Sequence, residues 1–393
     1  MDRFHYICYI TNDAFISKQI IRHLSGRKNT QGGVFMDRVY NFAAGPAALP
    51  LPVLETAQKE MLAYGSTGMS VMEMSHRSKM YLEIFERAQS AFRRVMKVPD
   101  NYKVLFLQGG ATGQFAAVAM NLLKTEADYA DTGNFAHGAM VEAQKYGKVN
   151  CIASSRDEGY TFIPDITPGM ISENADYVHI TTNNTIFGTR YTYVPETGKV
   201  PLVADMSSNI LSEEVDVSKF GVIYAGAQKN IGPAGLTVVV VRDDLPGSAR
   251  PDCPKLFDWA LQVKNDSMLN TPPCYSIYVA GLCFEWLESL GGVKAIEEIN
   301  KEKSALLYDL IDNSSLYRNN VRKDCRSRMN VPFVTGNADL DAKFVKEAAA
   351  NGLVNIKGHR LVGGMRASIY NAMPIEGVKA LAEFMKKFEK ENA

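Results

Sequence analysis

Residues 221–237 read GVIYAGAQKNIGPAGLT. Two apolar runs, GVIYAGA (221–227) and LTVVVVR (236–242), flank a turn of small residues that carries one lysine, Lys229. Short, almost wholly apolar runs suit the interior of a mostly parallel sheet covered on both faces. Such sheets collect ligands at the carboxyl ends of their strands, and Lys229 stands at one of those ends. A partly desolvated lysine has a lowered pKa, and its amine can form a Schiff base with a carbonyl.

The alternation extends in both directions. Residues 52–63 and 79–96 have apolar positions at helical spacing, and a helix is expected from about Gln114. Strands are expected at 103–108 (KVLFLQ), 148–155, 175–182 and 201–205 (PLVAD). Helices over 275–290 and about 293–311 are separated by Gly291-Gly292, and beyond them lies a smaller C-terminal domain of strands and helices. Strands alternating with helices define an α/β layer structure.

At 393 residues the chain has material for two domains rather than one. Apolar residues make up 46% and charged residues 22%, an ordinary composition for a soluble domain. The formal net charge is zero, so no nucleic acid or anionic membrane is called for as a partner, and any attraction for anions must be local. No apolar run approaches the roughly 18–20 residues that span a bilayer. The six cysteines are scattered, with no CxxC pair and no histidine at ligand spacing, which reads as reduced thiols in a cytoplasmic protein without a metal site. Residues 1–35 fit poorly with the rest of the chain. They lack a signal-peptide apolar region, and a second start-like stretch, MDRVYNF, begins at Met36.

Two further segments carry chemistry. LFLQGGATGQF (105–115) reads as strand, glycine-rich turn and helix start, where free amides and the helix dipole favour an anion. It is neither GxxxxGK[ST] nor GxGxxG, so a nucleotide is not specifically implied. Asp205 ends the apolar run PLVAD, and a carboxylate there needs a partner: a salt bridge, a nearby cap such as Ser207 or Ser208, or a cationic ring nitrogen. A phosphate cradle, then a strand-end aspartate, then a strand-end lysine are the three grips that pyridoxal phosphate requires.

With those residues in view, the chain resembles the phosphoserine aminotransferases, class V enzymes of the fold-type I pyridoxal-phosphate group, across nearly all of 38–393. The matching stretches are NFAAGPAALP (41–50), SVMEMSHRS (70–78), GVIYAGAQKNIGPAGLT (221–237), LNTPP (269–273), RSRMNVPF (326–333) and GHRLVGGMRASIYNAMP (358–374). The resemblance implies an α/β fold with a large domain, a mostly parallel sheet flanked by helices, over 51–292 and a small α/β domain over 293–393. Residues 36–50 would be an arm joining the small domain, and 1–35 a poorly ordered extension.

It also implies roles. Lys229 would be the Schiff-base lysine, Asp205 the partner of the pyridine nitrogen, and Gln228 a neighbour of the cofactor. Ala111 and Thr112 would contact the cofactor phosphate, and Asn270 and Thr271 would reach it from the other subunit of a homodimer. Thr185 would lie near the phenolic oxygen. Arg77 would hold the α-carboxylate, with glutamate as amino donor, while His76, His359, Arg360 and Arg366 would surround the acceptor's phosphate. Some members carry GGGRGQ where this chain has GGATGQ, so Thr112 replaces an arginine, and several place a tryptophan where Phe135 stands.

The activity implied is transamination between L-glutamate and 3-phosphohydroxypyruvate in serine biosynthesis, together with 4-phosphohydroxythreonine formation in vitamin B6 synthesis. Two alternatives stand beside it. A lyase of the cysteine-desulfurase type would need a mobile nucleophilic cysteine, for which the C-terminal part offers only Cys325. A non-catalytic scaffold would tend to lose Lys229, Asp205, Arg77 and Arg360 piecemeal, and all four are present.

Overall fold

The computed structural model describes residues 38–392; the expected extension, 1–35, and Met36 lie outside them. The described chain begins with β1 (Tyr40–Asn41), α1 (Leu51–Lys59) and α2 (Lys79–Met96). The Ser78 hydroxyl accepts the Tyr81 amide at the start of α2, and Lys97 closes it in the left-handed region at φ 51. Tyr81, Ile84, Phe85, Ala88, Phe92 and Val95 form the buried face of α2, the spacing of an amphipathic helix.

The central sheet contains β2 (Tyr102–Leu107), β3 (Glu126–Asp131), β4 (Lys148–Ser154), β5 (Ala175–Thr181), β8 (Leu202–Asp205), β9 (Val222–Gly226) and β10 (Thr237–Arg242). A short antiparallel pair, β6 (Asn183–Asn184) and β7 (Thr189–Arg190), branches off after β5. The strand order is β2-β10-β9-β8-β5-β3-β4. All pairings are parallel except those of β10, which runs antiparallel to β2 and β9. Helices α3 (Gly110–Leu122) and α4 (Asn134–Ala143) come after β2 and β3.

Period-2 alternation splits each strand between two cores. Val238 and Val240 join the core that includes α2 and α5 (Cys274–Ser289), whereas Val239 and Val241 join the core beneath α3 and α4. On the first face, Gly281 of α5 lies against α2, and a Cβ there would stand 3.0 Å from the Ala88 Cβ. A third core is built from α6 (Gly292–Asp312), β11 (Asn330–Phe333), α7 (Ala338–Ala350), β12 (Leu353–Val354), β13 (Met365–Ser368) and α8 (Ile375–Asn392). Phe42 is buried in that core and β1 pairs with β12, so the entering segment packs with the C-terminal elements.

The strands expected from the sequence are present within one residue at each end. β3 and α4 are additional. EADYAD carries three acids, and all six residues are buried. Asp128 accepts the Ser172 amide and hydroxyl and an Asn150 amide proton, and Glu126 pairs with Lys148. Asp131, the third, accepts the Tyr160 hydroxyl and pairs with His137, and with such partners the acids can occupy an interior strand that their charge would otherwise forbid.

Candidate active site

Several strand ends converge on one cavity of about 300 Å³. β8 ends at Asp205, which is 4% exposed and lines the cavity. One carboxylate oxygen, Oδ1, accepts the Ser207 amide at 2.9 Å and the Ser207 hydroxyl at 2.6 Å, leaving Oδ2 without a protein partner among the described residues. Burial raises the carboxyl pKa, while Ser207 and Lys229 oppose the rise. The Ser207 hydroxyl also accepts the Gly226 amide at 3.0 Å, which ties the ends of β8 and β9 together.

Lys229 comes after β9 in a tight turn. The Ala227 carbonyl accepts the amides of Lys229, Ile231 and Gly232. Gly45, at φ 136, lies against this turn, and a Cβ on it would stand 3.4 Å from the Lys229 Cγ. The Lys229 Nζ donates to the Thr185 hydroxyl at 2.8 Å and lies 5.5 Å from the centre of the Phe135 ring. Burial pulls the amine down to about 8; Asp205 opposes this and Arg366 adds to it. Arg366, on β13, donates from Nη1 to the Thr185 carbonyl at 3.2 Å, while its buried Nε has no partner among the described residues.

The glycine-rich turn supplies the third wall. Gly109 and Gly110 have φ values of 96 and 65, so α3 begins at Gly110 rather than near Gln114. First-turn amides have no acceptor within a helix, and this first turn carries no acidic side chain. Ala111 and Thr112 line the cavity, and a Cβ on Gly226 would lie 3.6 Å from the Ala111 nitrogen. A helix N-terminus therefore abuts the end of β9 and offers its positive end to an anion.

The cavity thus gathers Ala111, Thr112, Phe135, Thr185, Asp205, Gln228, Lys229, His359 and Arg366. Burial and the neighbouring Arg366 and Arg360 lower the His359 pKa. His76, Arg77, Arg360, Asn270 and Thr271 do not line it. Arg77 is exposed and donates from Nε to His76 at 3.3 Å. Asn270 and Thr271 lie on the outer side of the glycine-rich turn, where the Thr271 carbonyl accepts Gln108 at 2.9 Å. Within one chain, Arg366 rather than Arg77 is the guanidinium at the cavity.

Ala44, Gly45 and Thr181 also line the cavity, and the sequence alone marks none of them as a site residue; Ser207, which lines it too, is the cap expected for Asp205. Gly45 lies within the stretch NFAAGPAALP, which carries the family resemblance but no assigned role. Among the described residues no cysteine lines the cavity; Cys325 is buried, with its thiol against the Arg322 and Thr161 carbonyls. His179 is a core residue bonded to the Tyr224 hydroxyl, its pKa pulled down to about 3 by burial. His137 pairs with Asp131. Among the described residues, no group of three or more His, Cys, Asp or Glu side chains could hold a metal, and no helix is long and apolar enough to cross a membrane.

The family description Aminotransferase class-V matches residues 39–381. A phosphoserine aminotransferase of Bacillus cereus is 55% identical over 359 residues, covering 91% of this chain and 100% of the relative. One from Listeria monocytogenes is 57% identical over 356 residues, covering 90% of this chain and 97% of the relative. The chain belongs to the phosphoserine aminotransferase family.

Solved structures of the family superpose closely. The phosphoserine aminotransferase of Bacillus circulans subsp. alkalophilus has a TM-score of 0.89 at 45% identity, covering 91% of this chain and 100% of that one. The Trichomonas vaginalis phosphoserine aminotransferase, described as bound to PLP, has a TM-score of 0.84 at 40% identity, covering 89% of this chain and 100% of its own. The family's fold-type I architecture accounts for the mostly parallel sheet and for a cavity at its strand ends.

Proposed function

We propose that this chain catalyses amino transfer from L-glutamate to 3-phosphohydroxypyruvate, giving O-phospho-L-serine and 2-oxoglutarate, with pyridoxal phosphate as cofactor. One observation carries the reading: Asp205, Lys229 and the α3 N-terminus open onto one cavity. Each presents a polar group of the type the cofactor needs. Asp205 Oδ2 lacks a protein partner among the described residues and suits a protonated ring nitrogen. The first-turn amides of α3 suit a phosphate, and the Lys229 amine suits an aldehyde. When bound, the cofactor supplies an electron sink for the carbanion formed at the substrate's Cα.

The protein's part is to bind, orient and move protons. Lys229 Nζ would take the proton from the glutamate Cα as a general base and, in the second half, deliver a proton to the Cα of the new amino acid as a general acid, roles favoured by a pKa lowered to about 8. Its hydrogen bond to Thr185 Oγ1 holds the amine beside the Phe135 ring, and that ring offers a stacking surface with less area than an indole. Asp205 is kept in place by Ser207 so that its free oxygen faces a cation. Arg366, with an unpartnered Nε, is placed to take the substrate's α-carboxylate in forked contact. His359 adds a second basic group at the mouth, suited to the acceptor's phosphate.

The remaining cations and the phosphate-reaching pair belong to the assembled enzyme. We place His76, Arg77, Asn270 and Thr271 in the site of a second copy within a cytoplasmic homodimer, since none lines the cavity of its own chain. Arg360, close enough to His359 to help lower its pKa, adds a further cation beside that residue.

The decisive test is product formation. The holoenzyme given glutamate and 3-phosphohydroxypyruvate should yield equal amounts of phosphoserine and 2-oxoglutarate, and Lys229→Ala should yield neither above background. Normal turnover by Lys229→Ala would remove the lysine from the mechanism.

A further inference from the structure

Lys303, on α6, is buried without exposure, and no carboxylate pairs with it among the described residues. A buried unpaired ammonium is costly. Its Nζ donates to three carbonyls, those of Ile369 at 3.0 Å, Tyr370 at 2.8 Å and Met373 at 3.1 Å. An ammonium has three donors and no acceptor, so these contacts satisfy it completely. All three acceptors lie in one turn, 369–373, which begins directly after the β13 strand that carries Arg366.

The same turn grips the Lys229 loop from two sides. The Tyr370 hydroxyl donates to the Ala44 carbonyl at 2.7 Å, and Ala44 precedes Gly45, which lies against the Lys229 side chain. The Asn371 amide donates to Asn230 Oδ1 at 3.0 Å, and Asn230 is the residue after Lys229. The Asn371 side chain is held in turn: its Nδ2 donates to Leu211 O at 2.8 Å, and its Oδ1 accepts from Asn300 of α6 at 2.9 Å. Asn300 and Lys303 thus approach one turn from one helix.

We infer that Lys303 is a positioning residue that sets the placement of Lys229 through the 369–373 turn. If filling the core were all that was needed, a methionine of similar length would serve without a buried charge. What a methionine cannot do is gather three carbonyls to a point. That gathering fixes the turn's outward groups, Tyr370 Oη and the Asn371 amide, in register with Ala44 and Asn230. The inference rests on reading Lys229 as the amine that moves the proton in both halves of the reaction.

The test uses the full-length holoenzyme and three variants, Lys303→Met, Asn371→Ala and Tyr370→Phe. The first readout is amide hydrogen exchange of the peptide covering 226–232, which does not depend on any assumed substrate. Lys303→Met and Tyr370→Phe should each speed that exchange while leaving the amides of β5 unchanged. The second is single-turnover rate, with glutamate alone and then with 3-phosphohydroxypyruvate alone. Misplacement of one shared amine should slow both halves by the same factor, about tenfold, with the glutamate dependence of the rate little changed. Combining Lys303→Met with Tyr370→Phe should add little to Lys303→Met alone, because both act through one turn.

Unchanged exchange at 226–232 in a folded Lys303→Met protein would overturn the inference, whatever the activity. So would faster exchange with both half-reactions at wild-type rate, or a loss confined to one half. Should Lys303→Met fail to fold, the two turn variants decide: exchange and half-reaction rates unchanged in both would overturn it equally. A failure of the Lys229 reading would look different, since exchange would respond while Lys229→Ala kept its turnover.

Discussion

Thr185 is where two cations meet: its hydroxyl takes the Lys229 amine and its carbonyl takes Arg366. The site's electrostatics come from that crowding and from burial. A lysine whose pKa is lowered to about 8 gains its neutral, nucleophilic form well below the ordinary value of 10.5. The rate at which cofactor-free protein takes up pyridoxal phosphate should therefore climb from about pH 7 to about pH 9 and then level off. A rate still climbing steeply at about pH 10 would mean that the amine is not perturbed. Arg366→Ala should cost about 1.5–3 kcal/mol of carboxylate binding, seen as a raised KM for both substrates. Unchanged kinetics with both would move the carboxylate elsewhere.

At the scale of elements, the placement of the Phe135 ring in the cavity depends on how α4 begins. Gly133, just before it, has an extended backbone, and a Cβ there would lie 2.9 Å from the Asn184 Cγ. Asn184 cannot easily give way, since its Nδ2 is bonded to the Thr132 and Thr189 hydroxyls. Gly133→Ala should therefore displace the first turn of α4. We expect a loss of about 1–3 kcal/mol in stability together with weaker cofactor binding, measured by thermal melting and by cofactor titration. A protein unchanged in both would show that α4 can slide.

Sheet and helix spacing were legible in the sequence wherever apolar residues set the period, as in VVVV of β10 and the buried face of α2. β3 escaped because its three acids mimic a solvated segment, and their partners Asn150, Lys148 and Ser172 come from elsewhere in the chain. The early start of α3 was hidden by two glycines whose left-handed backbone begins the helix sooner than their propensity suggests. Lys229, Asp205 and the glycine-rich turn were legible because strand-end position alone predicts convergence. Which cation faces the cavity of its own chain was not, because that depends on tertiary packing: Arg366 lies on β13 beside Thr185, whereas Arg77 sits after a short loop on the surface.

At the scale of the whole molecule, the cavity lies among three cores, and the C-terminal elements reach it through Arg366 of β13 and His359. The second copy proposed above would have apolar surface to cover. Leu62 is 85% exposed and Met72 57%, large apolar groups on the segment that leads to His76 and Arg77. Sedimentation should accordingly give about twice the mass of the chain. Mixing Lys229→Ala with an Asn270→Ala, Thr271→Ala double variant should restore activity, since a hybrid dimer contains one intact shared site. A monomer in solution, or no recovery on mixing, would contradict the shared site.

The central claim is that Lys229, in a cavity built for pyridoxal phosphate, moves an amino group from glutamate to a phosphorylated 2-oxo acid. Steady-state turnover of the holoenzyme with glutamate, measured against 3-phosphohydroxypyruvate and its unphosphorylated counterpart, tests it most directly. The account predicts phosphoserine and 2-oxoglutarate in equal amounts, a kcat/KM that falls by at least about a hundredfold without the phosphate, and no product from Lys229→Ala. Equal turnover of the two acceptors, or product from Lys229→Ala at the wild-type rate, would contradict it.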